Sequence, residues 1–213
     1  MSEVKIALAK GRLEQLTLAA FQEIGIEFPD FTKDSRKLIF EDKNHQYQIV
    51  LVKASDVPTY VEKGAADIGI VGKDTLLENG ADVFEVLDLG FGRCKFAVAG
   101  LPEQKNNQSS KLTVASKYPK VAKDYYHKKG ISIETIKLNG SVELAPLIGL
   151  SDVIVDIVET GRTLKENGLE VLEDISEISA RLVVNKASFK TKTDRIHSLI
   201  QDIESVIEKQ TVS

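Results

Sequence analysis

One stretch constrains the fold of this chain more than any other: VIVDIVETGRTLKENG, Val153 to Gly168. An apolar run broken only by Asp156 has the length of a buried strand. The run turns polar at once, with Glu159, Thr160, Gly161, Arg162 and Thr163 in succession. Thr163 and Glu166 have capping-box spacing, which predicts a short helix starting there and stopping at Gly168. Strand, tight turn and helix start belong to an α/β fold, and such a turn points backbone N–H groups outward. A phosphate fits that corner. Thr160 and Thr163 offer hydroxyls, and Gly161 lets the backbone approach closely. Asp156 and Glu159 can accept hydrogen bonds from vicinal sugar hydroxyls. Taken alone, Thr-Gly-x-Thr is an ordinary turn. The flanking acids and the buried run are what point to a ribose 5-phosphate.

The rest of the chain repeats the strand–helix alternation. Val4–Leu8 reads as a strand, followed by Lys10-Gly11-Arg12 and a helix with Leu13, Leu16, Ala20, Phe21 and Ile24 on one face. Two cations flanking a glycine at a helix start make an anion site. Lys37–Glu41 and Gln46–Val52 read as a hairpin. Lys53 ends its second strand, and Ser55 is the expected N-cap of a helix running to Lys63. Asp67–Val71 is a buried strand ending at Gly72, with Asp74 expected to cap a helix over Thr75–Glu78. Such strand ends bind ligands in α/β sheets. Leu89–Phe96 reads as a crossover between lobes, with Cys94 a packing residue. Pro102–Lys111 is a polar loop. Ser141 is the expected cap of a helix through Leu147 that carries Glu143 in its first turn. Ser176–Ala180 is expected to return the chain to the first lobe, and Thr193–Glu208 is an amphipathic helix. The alternation predicts two α/β lobes, residues 1–93 with 179–213 and residues 94–178, with a cleft between them.

Composition narrows the function. A formal net charge of −4 argues against non-specific nucleic-acid binding. The single cysteine excludes an intrachain disulfide and suits a reducing cytoplasm. The N-terminus lacks the zones of a signal peptide, and no apolar run approaches the ~20 residues that span a bilayer. Three scattered histidines and one cysteine do not make a structural zinc site.

The segments IALAKGRL, GAADIGIVGKD, LGFGRCKFAVA, ASKYP and GSVELAPLIGLSDVIVDIVETGRTLKENGL, with the closing strand and helix, cover nearly the full length. Together they resemble the catalytic chain of the ATP phosphoribosyltransferase family, the first enzyme of histidine biosynthesis, in its short form. The resemblance implies a two-lobed, type II periplasmic-binding-protein-like fold. It also implies transfer of the phosphoribosyl group from phosphoribosyl pyrophosphate to N1 of ATP, with inversion and Mg²⁺ on the pyrophosphate. A regulatory partner resembling histidyl-tRNA synthetase is implied, in a hetero-oligomer. On that reading Thr160, Gly161, Arg162 and Thr163 hold the 5-phosphate. Asp156 and Glu159 take ribose hydroxyls or orient the adenine. Lys10 and Arg12, around Gly11, neutralise the pyrophosphate or the ATP phosphates. Lys53, Asp74 and Glu143 join the cleft by motif position. A non-enzymatic two-lobed binding protein and a nucleobase phosphoribosyltransferase are the alternatives that the residues leave open.

Overall fold

The computed structural model describes residues 3–32, 35–103 and 112–212, so positions 104–111 of the expected polar loop lie outside the described residues. The chain forms two compact units: unit 1 is Met1–Gly92 with Ser179–Ser213, and unit 2 is Arg93–Ile178.

In unit 1, β1 (Val4–Ala9) alternates between two apolar layers. Ile6 and Leu8 enter one core with Phe21, Ile49, Ile68, Ile70 and Leu182. Ala7 and Ala9 enter the other with Val57, Val61 and Val183. A strand covered on both faces must be apolar almost throughout. Its partners are β3 (Tyr47–Val52) and β4 (Ile68–Gly72), both parallel to it. Beyond them lie β2 (Ile39–Glu41), β11 (Ala180–Val184) and β5 (Phe84–Asp88), giving the order β2-β3-β1-β4-β11-β5. β2 is antiparallel to β3, and β11 runs antiparallel between β4 and β5. The first core is closed by α1 (Arg12–Glu23) and α8 (Thr193–Val212), which buries Ile196, Leu199 and Ile203. Burying each such side chain contributes about 1.5–3 kcal/mol. The second is closed by α2 (Val57–Glu62).

Three helix starts in unit 1 differ from expectation. Ser55 does not cap α2: its hydroxyl donates to Asp56 Oδ1 at 2.9 Å, and a 3-10 turn over Ala54–Asp56 precedes the helix. Pro58 then falls in the first turn, where no N–H is needed. Asp74 is not an N-cap either. The helix α3 spans Lys73–Asn79 with Gly72 as its cap residue, so Asp74 lies inside the first turn. Finally, α7 (Lys186–Thr191) precedes α8 and was not anticipated. It is capped by Asn185, whose Oδ1 accepts from Ala187 N and Ser188 N while its Nδ2 donates to Val61 O.

Asp67, 5% exposed, fastens these pieces together. It accepts from Lys5 N at 2.8 Å, Ser188 Oγ at 2.6 Å and Lys192 Nζ at 2.7 Å. At the other end of the sheet, Arg181 pairs with Glu85 at 3.2 Å and with Asp88. Asp88 also accepts from Ser179 Oγ at 2.7 Å and Gly90 N at 2.9 Å. Burial raises its pKa, but the Ser179 hydroxyl, the Gly90 N–H and the Arg181 guanidinium outweigh this and hold it below the ordinary carboxylate value.

Unit 2 has a five-stranded sheet in the order β10-β6-β9-β7-β8. Its strands are β6 (Cys94–Gly100), β7 (Leu112–Ser116), β8 (Ile133–Lys137), β9 (Val153–Val158) and β10 (Glu170–Ile178). β9, β7 and β8 are parallel, while β6 and β10 complete an antiparallel edge. Helix α4 (Pro119–Lys128) opens with proline in its first turn. Just past its end, Lys129 donates to Glu173 on β10 at 2.6 Å. Two short helices, α5 (Leu144–Leu147) and α6 (Arg162–Glu166), follow β8 and β9. Among the described residues no helix is long and apolar enough to cross a membrane.

Candidate active site

Strand β9 builds the site in unit 2. Alternation along it puts Ile154, Asp156 and Val158 on one face. Opposite them in register on β6, Ala99 faces Ile154 and Ala97 faces Asp156. The two alanines are buried and short, which leaves space above them. The result is a cavity of about 300 Å³, floored by Ala97, Ala99 and Ile154 and walled by Asp156–Leu164 and Glu143. The sequence candidates Glu143, Asp156, Glu159, Thr160, Gly161, Arg162 and Thr163 therefore share one cavity. Ala97 and Ala99 were missed. Their signal was the pair of small residues alternating along a strand, read only as strand pattern.

The loop from Glu159 to Thr163 is pinned at both ends by buried apolar side chains, Val158 and Leu164, which pack in one core. Gly161 is left-handed at φ 70° and is the cap residue of α6. A side chain would strain that turn. The predicted capping box does not form. The helix starts two residues earlier than expected, so Thr163 sits inside it, and Glu166 Oε1 instead accepts from Arg162 Nε at 2.7 Å. This leaves the Arg162 side chain 82% exposed and turned along its own helix. Asp156 Oδ1 accepts from Ile157 N at 2.8 Å, which fixes one oxygen near the strand end. The cavity thus combines three carboxylates with hydroxyls and backbone N–H groups.

Helix α5 also starts later than expected. Glu143 is its cap residue rather than a first-turn residue, and Ser141 stands outside it at φ 48°.

The other five candidates lie in unit 1, at the carboxyl ends of three adjacent parallel strands. Ala9 pairs with Val52, so Lys10 and Lys53 follow at neighbouring register positions. Gly11 N donates to Glu14 Oε2 at 3.0 Å, which draws Glu14 back over the start of α1, beside Arg12. Beyond β4, the Asp74 carboxylate folds over Gly72. A Cβ there would come within 2.0 Å of Asp74 Oδ1, so a side chain at this position would push the carboxylate aside. Lys73 leans the other way, toward Glu85 on β5. Carboxyl-end loops of parallel strands are where α/β sheets hold ligands. Among the described residues no group of three or more His, Cys, Asp or Glu side chains could hold a metal ion.

A family model described as HisG, ATP phosphoribosyltransferase, matches residues 53–205. A relative named ATP phosphoribosyltransferase from Clostridium botulinum (strain ATCC 19397 / Type A) is 56% identical over 212 residues, covering 98% of this chain and 100% of that one. The chain belongs to the ATP phosphoribosyltransferase family. Another ATP phosphoribosyltransferase, from Bacillus cereus (strain B4264), is 54% identical over 207 residues, covering 97% of this chain and 98% of that one. Among solved structures, the ATP phosphoribosyl transferase (HisG:HisZ) complex from Thermotoga maritima matches with TM-score 0.84 and 37% identity, covering 97% of this chain and 99% of that one. The fold of this ATP phosphoribosyltransferase family member is the type II periplasmic-binding-like fold.

Proposed function

We propose that this chain transfers the 5-phosphoribosyl group from phosphoribosyl pyrophosphate to N1 of ATP. The products are N1-(5-phosphoribosyl)-ATP and pyrophosphate, and the step opens histidine biosynthesis in the cytoplasm. One observation carries the reading: in a chain of this family, Asp156 and Glu159 line the same cavity as the Thr160–Thr163 turn. Sugar hydroxyls and a phosphate need those two chemistries side by side.

The turn's N–H groups and the Thr160 and Thr163 hydroxyls hold the 5-phosphate. Arg162 adds charge once it leaves Glu166. Asp156 and Glu159 accept hydrogen bonds from ribose hydroxyls or the adenine. Adenine N1 attacks C1 with its own lone pair while the C1–pyrophosphate bond breaks, so no covalent nucleophile is required. The transition state carries oxocarbenium character, as in other glycosidic displacements. Lys10 and Arg12 offset charge on the departing pyrophosphate or the ATP phosphates, with Lys53 beside them. Such fixed charges are where catalysis of this kind gains most. Mg²⁺ arrives as part of the substrate, screening its pyrophosphate.

We infer further that the chain works with a regulatory subunit of the HisZ kind, as in the Thermotoga maritima complex. The test is absorbance in the adenine band with ATP, phosphoribosyl pyrophosphate, Mg²⁺ and pyrophosphatase, with and without that subunit. A rise that needs both substrates is expected, and it should be faster with the subunit. A folded protein that gives no rise in either mixture would end the transferase reading.

A further inference from the structure

Gly11 and Gly161 stand at similar corners. Each is the cap residue between a strand and a helix, and neither has a side chain to cap that helix. Their N–H groups differ. Among the described residues the Gly161 N–H makes no hydrogen bond, which leaves it open to a phosphate in the cavity. The Gly11 N–H is taken. It donates to Glu14 Oε2 at 3.0 Å.

The peptide that Glu14 holds is an unusual one. Gly11 lies at φ 124° and ψ −146°, a region that glycine alone enters readily. A Cβ there would meet nothing within 4 Å, so the glycine serves the conformation and not a close approach. Lys10 and Arg12 are joined to it on either side. If Gly11 left that conformation, both cations would move. The Glu14 carboxylate closes the turn onto the first turn of α1 and removes that freedom. Its charge offsets part of what the cations offer an anion, so the gain is order rather than charge. Order set before binding is a cost that the ligand no longer meets. With its N–H occupied, Gly11 leaves an anion to meet the side chains of Lys10 and Arg12.

We propose that Glu14 is a positioning residue: by holding the Gly11 N–H it presets Lys10 and Arg12 for a substrate polyphosphate. This rests on the transferase reading above, which gives those two cations their task. The test compares wild type, Glu14→Ala and Glu14→Gln, each with the regulatory subunit. Glutamine keeps an acceptor for the Gly11 N–H and drops the charge. Amide exchange at Gly11 reads the tether without turnover: it should be faster in Glu14→Ala than in wild type and slow again in Glu14→Gln. Turnover reads its use. Loss of one hydrogen bond predicts kcat/KM about three- to tenfold lower in Glu14→Ala, with most of the loss recovered in Glu14→Gln. Added to Arg12→Ala, Glu14→Ala should cost less than it does alone, because one of the cations it places is gone. A merely structural role would give the same factor in both backgrounds, and that result would overturn the proposal. So would wild-type kcat/KM in Glu14→Ala, a gain in both variants, or unchanged Gly11 exchange in Glu14→Ala. An inactive wild type would defeat the transferase reading and the loop's task with it, while Gly11 exchange would still report the tether.

Discussion

In unit 1 the carboxyl ends of β3, β1 and β4 lead into Lys53, Lys10 with Arg12, and Asp74. In unit 2 the carboxyl ends of β8 and β9 lead into Glu143 and the Glu159–Thr163 loop. The strand arrangement is the same, three parallel neighbours ending on one edge, yet the chemistry differs. One edge is mostly cationic. The other offers carboxylates, hydroxyls and backbone N–H groups. A sheet fixes where ligands approach; the few residues after each strand fix what they are.

The comparison can be broken most forcefully at Asp67, which ties the amino ends of β1 and β4 to α7 and the start of α8 and does not belong to the site. Asp67→Ala leaves Lys192 and Ser188 without their buried partner and should cost about 3–5 kcal/mol of stability. Hydrogen exchange should show the loss in unit 1. Equal loss of protection across residues 93–178 would mean that the two edges are not supported separately.

Next come the edges themselves. Arg12→Ala and Asp156→Ala should each lower kcat/KM about ten- to a hundredfold, the value of one charge-assisted contact. The profiles should differ. Arg12→Ala should become less active with increasing negative charge on the leaving group or ATP. Asp156→Ala should respond to removal of a ribose hydroxyl, or else to changes in the base. Identical profiles would erase the distinction between cationic and carboxylate edges.

A smaller effect is expected where the chain leaves and rejoins unit 1. Asp88 has a depressed folded-state pKa, so its stabilising contribution is complete above the ordinary carboxylate value near 4 and is lost as pH falls through the folded value. Melting temperature against pH should drop on the acid side, and Asp88→Asn should flatten that limb. An unchanged limb would remove Asp88 from the account.

The smallest effect is at Arg162. Its exposed pair with Glu166 contributes less than about 0.5 kcal/mol. Glu166→Ala should barely move Tm, yet it frees the guanidinium. KM for phosphoribosyl pyrophosphate should fall by up to about twofold if Arg162 serves the phosphate. An increase would place Arg162 outside the phosphate contact.

Much of this was legible in the sequence because the signals are local. Apolar runs such as Val4–Leu8 and Val153–Val158 give buried strands directly, since backbone pairing and side-chain burial favour the same residues. That the acids and Thr-Gly-Arg-Thr share one cavity was legible for the same reason: all the groups lie within eight residues. Helix starts were less legible. Ser55, Asp74 and Thr163 all have the right side chain for a cap, but a proline, a glycine and a left-handed glycine moved each helix start. Glu166 had two possible partners, and the guanidinium won over the backbone N–H. The cavity floor showed only as small residues alternating along a strand, with nothing to tie them to the site. Ala97 faces Asp156 across 59 positions of chain, a register that no local pattern encodes.

One feature of the topology bears on how the protein is made. β11 lies between β4 and β5, and the first core is closed by α8. Both come from the last 34 residues, after all of unit 2 has been synthesised. Unit 2 is contiguous, and its ends meet, with Cys94 paired to Ile178. During synthesis the inserted unit can therefore reach its final form first. The first 92 residues must wait with an open seam between two strands, holding an apolar face uncovered until the end of the chain arrives to fill it.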